Sequence, residues 1–382
     1  MPPRLAGRST EIERAVDLLA RVQQFGTPAG VPLILTGPRG VGKTVVLGAV
    51  GEEGRNRGFV VVPVTLDRQT SAAQRIASAV AREVARELGR QSGGRWSRWQ
   101  ERLASFSVEV SVAGIVKIGA RANEKDQSSA DRDALVGLLE DSATLAREKD
   151  RPGLLLTVDE LQEGSSTDLS VWANTVQDTV TGGVAPVVVV GAGLPRTPER
   201  LMEAATFSER FSYRRLDRLS LSDASIALLD PAATVHVSWG RSAAQLVLER
   251  AKGSPFLLQL FGEAAWAVAA PGEGGHISEA DAAQGLALAE EDLADGMFRG
   301  RWNRATDAEQ RVLVAIAQAT NDDGVATTAR VSAVVGKSAR QLSVLRARLI
   351  DKGIIESLRH GELVFTMPGF EAFVLEQERP AG

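Results

Sequence analysis

The chain has 382 residues, 44% of them apolar and 24% charged, with 37 glycines against 15 prolines; this predicts two or three domains with sizeable cores and excludes a disordered or fibrous chain. The 44 Lys and Arg against 48 Asp and Glu leave a net charge of −4, so bulk coating of nucleic acid or of an anionic membrane is excluded and only a local basic patch stays open. There is no cysteine, and the three histidines, His236, His276 and His360, are widely separated, which removes disulfides, thiol nucleophiles and a zinc motif.

In chain order, the first helix is expected from Ser9, with Thr10 and Glu13 at capping-box spacing and Ile12, Ala15, Val16, Leu19 and Val22 on one apolar face. Val31 to Thr36 reads as a short buried strand, followed by a glycine-rich turn and a helix opening at Lys43. Phe59 to Thr65 predicts a second strand, and Ile76, Val80, Val84 and Leu88 a helix that Gly89 stops. Between about 91 and 130 the alternation of strand and helix breaks. There Phe106, Val108, Val110 and Val112, a turn at Ala113-Gly114, and then Val116 and Ile118 fit an inserted hairpin, with Trp96 and Trp99 packed beneath it. A helix from Asp131 to Lys149, a strand from Leu154 to Val158, a helix near Leu169 to Val180 and a strand from Pro186 to Val190 restore the pattern. Four apolar strands separated by helices predict an α/β fold with a parallel sheet covered on both faces.

From Ser222 to Arg304 the apolar residues recur only at helical spacing, which predicts a helical domain. Beyond it, a capping box at Thr306 and Glu309 opens a helix to Ala319. Helices near Thr327 to Val335 and Ala339 to Lys352 follow, then a hairpin of Ile354 to Leu358 and Leu363 to Thr366 about a turn at Arg359-His360-Gly361. Three helices and a wing predict a winged helix-turn-helix. The expected boundaries are 1–221, 222–304 and 305–382. The first thirty residues lack the apolar core of a signal peptide, and no apolar run reaches about 18 residues, so a cytoplasmic protein without membrane contact is expected.

Two segments carry chemistry. Gly37-Pro38-Arg39-Gly40-Val41-Gly42-Lys43-Thr44, placed between strand and helix, matches the phosphate-cradling P-loop. Its glycines let backbone N–H groups turn inward, its helix start adds a positive dipole end through Val45, Lys43 is the expected ligand of β- and γ-phosphates, and the Thr44 hydroxyl is an expected Mg²⁺ ligand. Leu154 to Glu160 ends a strand in two carboxylates. Asp159 completes the expected metal shell, and Glu160 is the expected general base that positions the attacking water.

With these motifs the chain resembles the AAA+ superfamily, and within it the origin-recognition-initiator-like and STAND-type ATPases that end in a winged helix. The resemblance implies ATP or ADP with Mg²⁺ as cofactors, and an AAA+ core, a helical lid and a winged-helix domain, the nucleotide lying between core and lid. Ala6-Gly7-Arg8-Ser9-Thr10-Glu11 is similar to the family's N-terminal element, which places Arg8 against adenine. Gly191-Ala192-Gly193-Leu194-Pro195 occupies the place of sensor 1 without its usual polar residue. Arg210, in Ser208-Glu209-Arg210-Phe211, stands where relatives carry an arginine finger, with Arg214 and Arg215 as rivals. Lys252-Gly253-Ser254-Pro255-Phe256 resembles the STAND element in which Pro255 starts a lid helix near the adenine, where other members have a sensor 2 arginine. That substitution implies slow hydrolysis and a nucleotide-governed switch acting on a protein partner, with a homo-oligomer where a finger is used.

Duplex DNA is the alternative partner. The third helix of the winged region carries Arg340, Arg346, Arg348 and Lys352, with Lys337 just before it, a face suited to a major groove. Against this, residues 305–382 hold nine Lys and Arg and ten Asp and Glu, which is no footprint for tight non-specific binding.

Overall fold

A computed structural model describes residues 5–28, 30–89, 93–110, 116–119, 128–183, 185–321, 324–357 and 361–378. The chain divides into two compact units. The first comprises Arg8–Gly37 and Lys43–Leu216; the second comprises Pro38–Gly42 and Asp217–Gly382 together with residues 5–7.

The first unit opens with α1 (Ser9–Phe25), whose Ala15, Leu19 and Val22 are buried at helical spacing. The expected box at Thr10 and Glu13 is not formed. Arg8 takes the N-cap position without a side-chain cap, and Thr10 already lies within the first turn, where its backbone is helical and its hydroxyl is no longer in capping geometry. There follow β1 (Leu33–Thr36), α2 (Lys43–Asn56), β2 (Val60–Thr65) and α3 (Ala72–Leu88), the last capped by the Ser71 hydroxyl and ended at Gly89. The inserted segment is α4 (Gly94–Ser105) with an antiparallel pair, β3 (Val108–Val110) and β4 (Val116–Ile118); the expected turn at Ala113-Gly114 lies outside the described residues. Trp96 and Trp99 are buried and stacked 4.5 Å apart.

The unit continues with α5 (Ser128–Arg147), β5 (Leu154–Asp159), a 3-10 turn Leu161–Glu163, and α6 (Ser166–Val176), which runs into a π-turn Gln177–Thr181. It closes with β6 (Val187–Gly193), α7 (Thr197–Ala204), a 3-10 turn Thr206–Arg210, and β7 (Ser212–Arg215). The Trp99 indole donates to Ser142 Oγ of α5 at 2.8 Å, and Arg102 pairs with Asp141 at 2.9 Å. Gln74 of α3 holds the insertion's other end through the Phe106 and Gly119 carbonyls at 3.1 and 3.0 Å. These partners account for the two indoles as core rather than as an open docking face.

The sheet order is β2-β5-β6-β1-β7, and every pairing in it is parallel. It has five strands rather than the expected four. β7 is a short, half-exposed edge strand of Ser, Tyr and two Arg, so it carries no apolar run to betray it. The three inner strands are wholly buried between helices, and the edge strand β2 is largely so, as parallel strands must be. Because β1 lies between β6 and β7 while the next strand in sequence lies at the far edge, the carboxyl ends of β1, β5 and β6 gather at a point where the winding changes direction, the usual place for a ligand in such sheets.

The second unit holds α8 (Leu221–Ala233), β8 (Ser238–Trp239), α9 (Arg241–Ala251), α10 (Pro255–Ala269), β9 (His276–Ile277), α11 (Glu279–Leu293), a π-turn Ala294–Phe298 and α12 (Arg299–Asn303). The helical expectation for this stretch holds apart from the two-residue parallel bridge of β8 with β9. Then come α13 (Asp307–Ala319), β10 (Ala326–Thr327), α14 (Thr328–Val335), α15 (Ala339–Asp351), β11 (Ile355–Ser357), β12 (Glu362–Phe365) and α16 (Phe370–Glu378). The Thr306 and Glu309 capping box is formed in both directions. Three helices are followed by a hairpin, with β10 added to give the order β10-β12-β11. α16 closes the unit, with Phe370, Phe373 and Val374 buried.

Candidate active site

β1 ends at Thr36 and α2 begins at Lys43, so the loop between them turns sharply at the sheet's carboxyl edge. Gly40 and Gly42 adopt φ of +79° and +95°, a conformation that side chains resist and that lets successive amides face one way. The loop is anchored at its root by the Gly37 amide, which donates to the Gly193 carbonyl at 3.3 Å. Lys43 is buried, and its Nζ donates to the Gly37 carbonyl at 2.8 Å. The cation is therefore folded over the loop, where the amides and the start of α2 already favour an anion.

Thr44, on the first turn of α2, donates its hydroxyl to Asp159 Oδ2 at 2.6 Å across 115 residues of sequence. The other carboxylate oxygen, Oδ1, accepts the Glu160 amide at 2.8 Å. Asp159 is buried at the last position of β5, and Glu160 follows in a left-handed conformation with φ +55°. Such a conformation at a non-glycine residue costs roughly 1–3 kcal/mol and persists only where neighbours hold it. Here it turns the chain sharply out of the sheet, so that Asp159 and Glu160 leave the strand on different headings.

The donor chemistry fits Mg²⁺. A hydroxyl and a carboxylate in contact are hard oxygen ligands, and an ion that keeps several waters and takes phosphate oxygens needs no larger protein cage. Among the described residues no group of three or more His, Asp or Glu is placed to hold a metal by itself.

Of the remaining expected site residues, Val41 is buried and Val45 half-buried. Arg8 is buried at the start of α1, its carbonyl accepting the Ile12 amide at 3.2 Å. Pro38, Arg39 and Gly40 belong to the second unit with Pro255, where the Phe256 amide donates to the Gly40 carbonyl at 3.3 Å. Pro255 is the first residue of α10, behind the Ser254 cap, as expected of a proline there. Arg210 ends a 3-10 turn and is exposed, Arg214 is half-buried and Arg215 exposed.

Sequence reasoning missed three residues. Arg301 on α12 is 4% exposed and donates to Thr366 Oγ1 at 3.0 Å; burial, with added repulsion from Arg39 and Arg304, pushes its guanidinium down to about 10. Gln162, two residues past Glu160, donates to the Glu160 carboxylate and accepts the Leu194 amide at 3.0 Å. Arg200 of α7 donates to the carbonyls of Gln162 and Gly164, the latter at 2.7 Å. None of the three left a sequence signal, because each is a single side chain with a partner distant in the chain.

Comparison with known proteins agrees with this geometry. Residues 4–190 match the AAA ATPase domain family, and residues 295–374 match a domain of unknown function (DUF8462). No curated protein matches the sequence. Among solved structures, the ORC2 protein of Aeropyrum pernix in ADPNP–ADP complexes aligns with TM-score 0.61 at 16% identity, over 98% of this chain and 94% of that one. A Walker-type ATPase of Pyrococcus abyssi aligns with TM-score 0.61 at 14% identity, over 97% and 96%. Cdc6p of Pyrobaculum aerophilum aligns with TM-score 0.51 at 16% identity, over 99% and 96%. At these identities the likeness is one of fold. The chain thus has the fold of these origin-recognition and Cdc6 structures, and its residues 4–190 match the AAA ATPase domain family.

Proposed function

We propose that the protein is an ATP- and Mg²⁺-dependent ATPase of the origin-recognition-initiator kind, which engages duplex DNA through a C-terminal winged helix. The observation that carries the ATPase reading is the 2.6 Å contact of Thr44 with Asp159, which joins the phosphate loop to the carboxylate strand. Lys43 and the loop amides hold the β- and γ-phosphates; Thr44 and Asp159 hold Mg²⁺, which when bound neutralises charge building on the phosphate oxygens. Glu160 orients a water and accepts its proton as the water oxygen bonds to the γ-phosphorus and the bond to the ADP oxygen breaks. Arg8 lies against the base, Pro255 starts the lid helix, and exposed Arg210 is the guanidinium offered to a neighbouring copy. Core, helical lid and winged helix at 1–221, 222–304 and 305–382 are the division that goes with this reading.

The likeness in fold to ORC2 and Cdc6p supports the DNA-binding version over a switch dedicated to a protein partner. On α15 the exposed side chains include Arg340 and Arg348, with Arg330 and Lys337 exposed on and beside α14. A second reading, docking of a protein partner on the same helix, draws on Val344, which is 57% exposed between those two arginines. Native mass measurement with ATP, alone and with short duplex DNA, separates the two. A nucleotide-dependent DNA complex supports the first. An unchanged mass with DNA, or DNA binding unaffected by Arg340→Ala, contradicts it.

A further inference from the structure

The carboxyl end of β6 is closely packed at its two glycines. A Cβ on Gly191 would lie 2.8 Å from Leu161 Cδ1, and one on Gly193 would lie 2.2 Å from Thr197 Oγ1, so a side chain at either position would displace its neighbour. Yet this strand end adjoins both halves of the site, since Gly193 anchors the phosphate loop through Gly37 and Gly191 is in register with Val158, just before Asp159.

The polar group at this point comes from elsewhere. Gln162 is buried on the 3-10 turn after β5, its Oε1 accepting the Leu194 amide at 3.0 Å and its Nε2 donating to Glu160 Oε2. Its own backbone is held by Arg200, whose guanidinium spans the Gln162 and Gly164 carbonyls. An amide group has one acceptor and one donor end. With the acceptor end fixed on Leu194, the NH₂ end can point only one way, at the carboxylate of the residue whose backbone is already left-handed.

We infer that Gln162 is a positioning residue for hydrolysis, which fixes the Glu160 carboxylate relative to the end of β6 and supplies from the 3-10 turn the polar contact that the glycines of β6 do not carry. Gln162 acts through Glu160, the carboxylate its amide contacts. The inference rests on the ATPase reading and adds a residue to it.

The test uses the full chain, with steady-state Mg-ATP hydrolysis, binding of a fluorescent ADP analogue and a melting curve for each variant. Gln162→Met removes both ends of the amide, whereas Gln162→Glu keeps an acceptor for Leu194 and replaces the donor to Glu160 with a second negative charge. Both are expected to lower kcat by on the order of tenfold to a hundredfold with KM within about twofold, since misplacing a reacting group costs in that range. In a Glu160→Gln background, single-turnover rates are expected to show the Gln162→Met penalty largely gone, because the group it positions is already disabled. Unchanged or faster turnover in a folded Gln162→Glu variant, a rise in KM matching the fall in kcat, or a full penalty persisting beside Glu160→Gln would overturn the inference. If Gln162→Met fails to fold, Gln162→Glu decides. Wild-type protein without Mg-ATP hydrolysis, or with hydrolysis indifferent to Glu160→Gln, defeats the ATPase reading itself; turnover that needs Glu160 and ignores Gln162 defeats only this step.

Discussion

The end of the parallel sheet and the helix α15 both collect charged residues, but they use them differently. At the sheet, Lys43 and Thr44 from one segment and Asp159 and Glu160 from another, more than a hundred residues on, converge through the Thr44–Asp159 contact. On α15, residues that look alike in sequence are divided between tasks. Lys352 donates to Glu309 at 2.6 Å and to the Arg304 carbonyl at 2.8 Å, and Arg346 reaches Thr328 Oγ1 at 3.4 Å, while Arg340 and Arg348 stay exposed. A motif with fixed spacing states its role in one dimension. A row of basic residues does not, because whether each one faces solvent or serves the fold is settled by residues far away in the chain.

The sharpest way to break the contrast is at the sheet end. Glu160→Gln is expected to lower hydrolysis by roughly 10²–10⁴-fold while nucleotide is retained, which phosphate release and a binding titration together measure. Lys43→Ala is expected to weaken nucleotide affinity by on the order of a hundredfold, the worth of a charge-assisted contact with phosphate. If Lys43→Ala bound as well as wild type, the convergence seen there would have no functional meaning.

Effects in the second unit are smaller and fall on stability. Glu309 is 1% exposed. Burial pushes its carboxyl upward, but the hydrogen bond from Lys352, those from the Thr306 amide and hydroxyl, and the Lys352 charge outweigh it and hold the group below the usual glutamate range. A folded value below the unfolded one makes the contribution complete above the ordinary glutamate value, about 4.3, and removes it as pH falls through the lowered folded value. Glu309→Ala is therefore expected to cost about 2 kcal/mol at neutral pH, through a lost cap and a lost charged hydrogen bond, and little in acid; denaturant melts at several pH values check this. Lys352→Ala belongs to the same clamp and is expected to lower stability without changing the salt dependence of DNA binding.

The smallest expected effect sharpens the comparison within α15. Arg340→Ala is expected to reduce the slope of log affinity for duplex DNA against log salt by about 0.9, one phosphate contact, in a fluorescence anisotropy titration. Equal slopes for Arg340→Ala and Lys352→Ala would erase the distinction between exposed and structural cations.

What could be read from sequence was what local chemistry determines. The phosphate loop is a contiguous signature. α13 could be placed because Thr306 and Glu309 cap it by direct contact three residues apart. The same spacing misled at Thr10 and Glu13, where the N-cap is Arg8, two positions earlier, and Thr10 is already inside the first turn. β7 was hidden because a half-exposed edge strand needs no apolar run, and its pairing with β1 lies almost 180 residues away, Leu33 facing Ser212. Gln162 was hidden for the complementary reason. A single glutamine has no pattern, and its meaning depends on Leu194, 32 residues further on.

The central claim is that the loop from Gly37 to Thr44, closed by Asp159, grips a nucleotide triphosphate with its magnesium. Isothermal titration calorimetry of Mg-ATP into the full chain tests it most directly, with Lys43→Ala and Asp159→Asn alongside. The expected result is saturable binding in the wild type, weakened on the order of a hundredfold in Lys43→Ala, and no longer strengthened by Mg²⁺ in Asp159→Asn. No heat in the wild type, or equal binding by all three proteins with and without the metal, would contradict it.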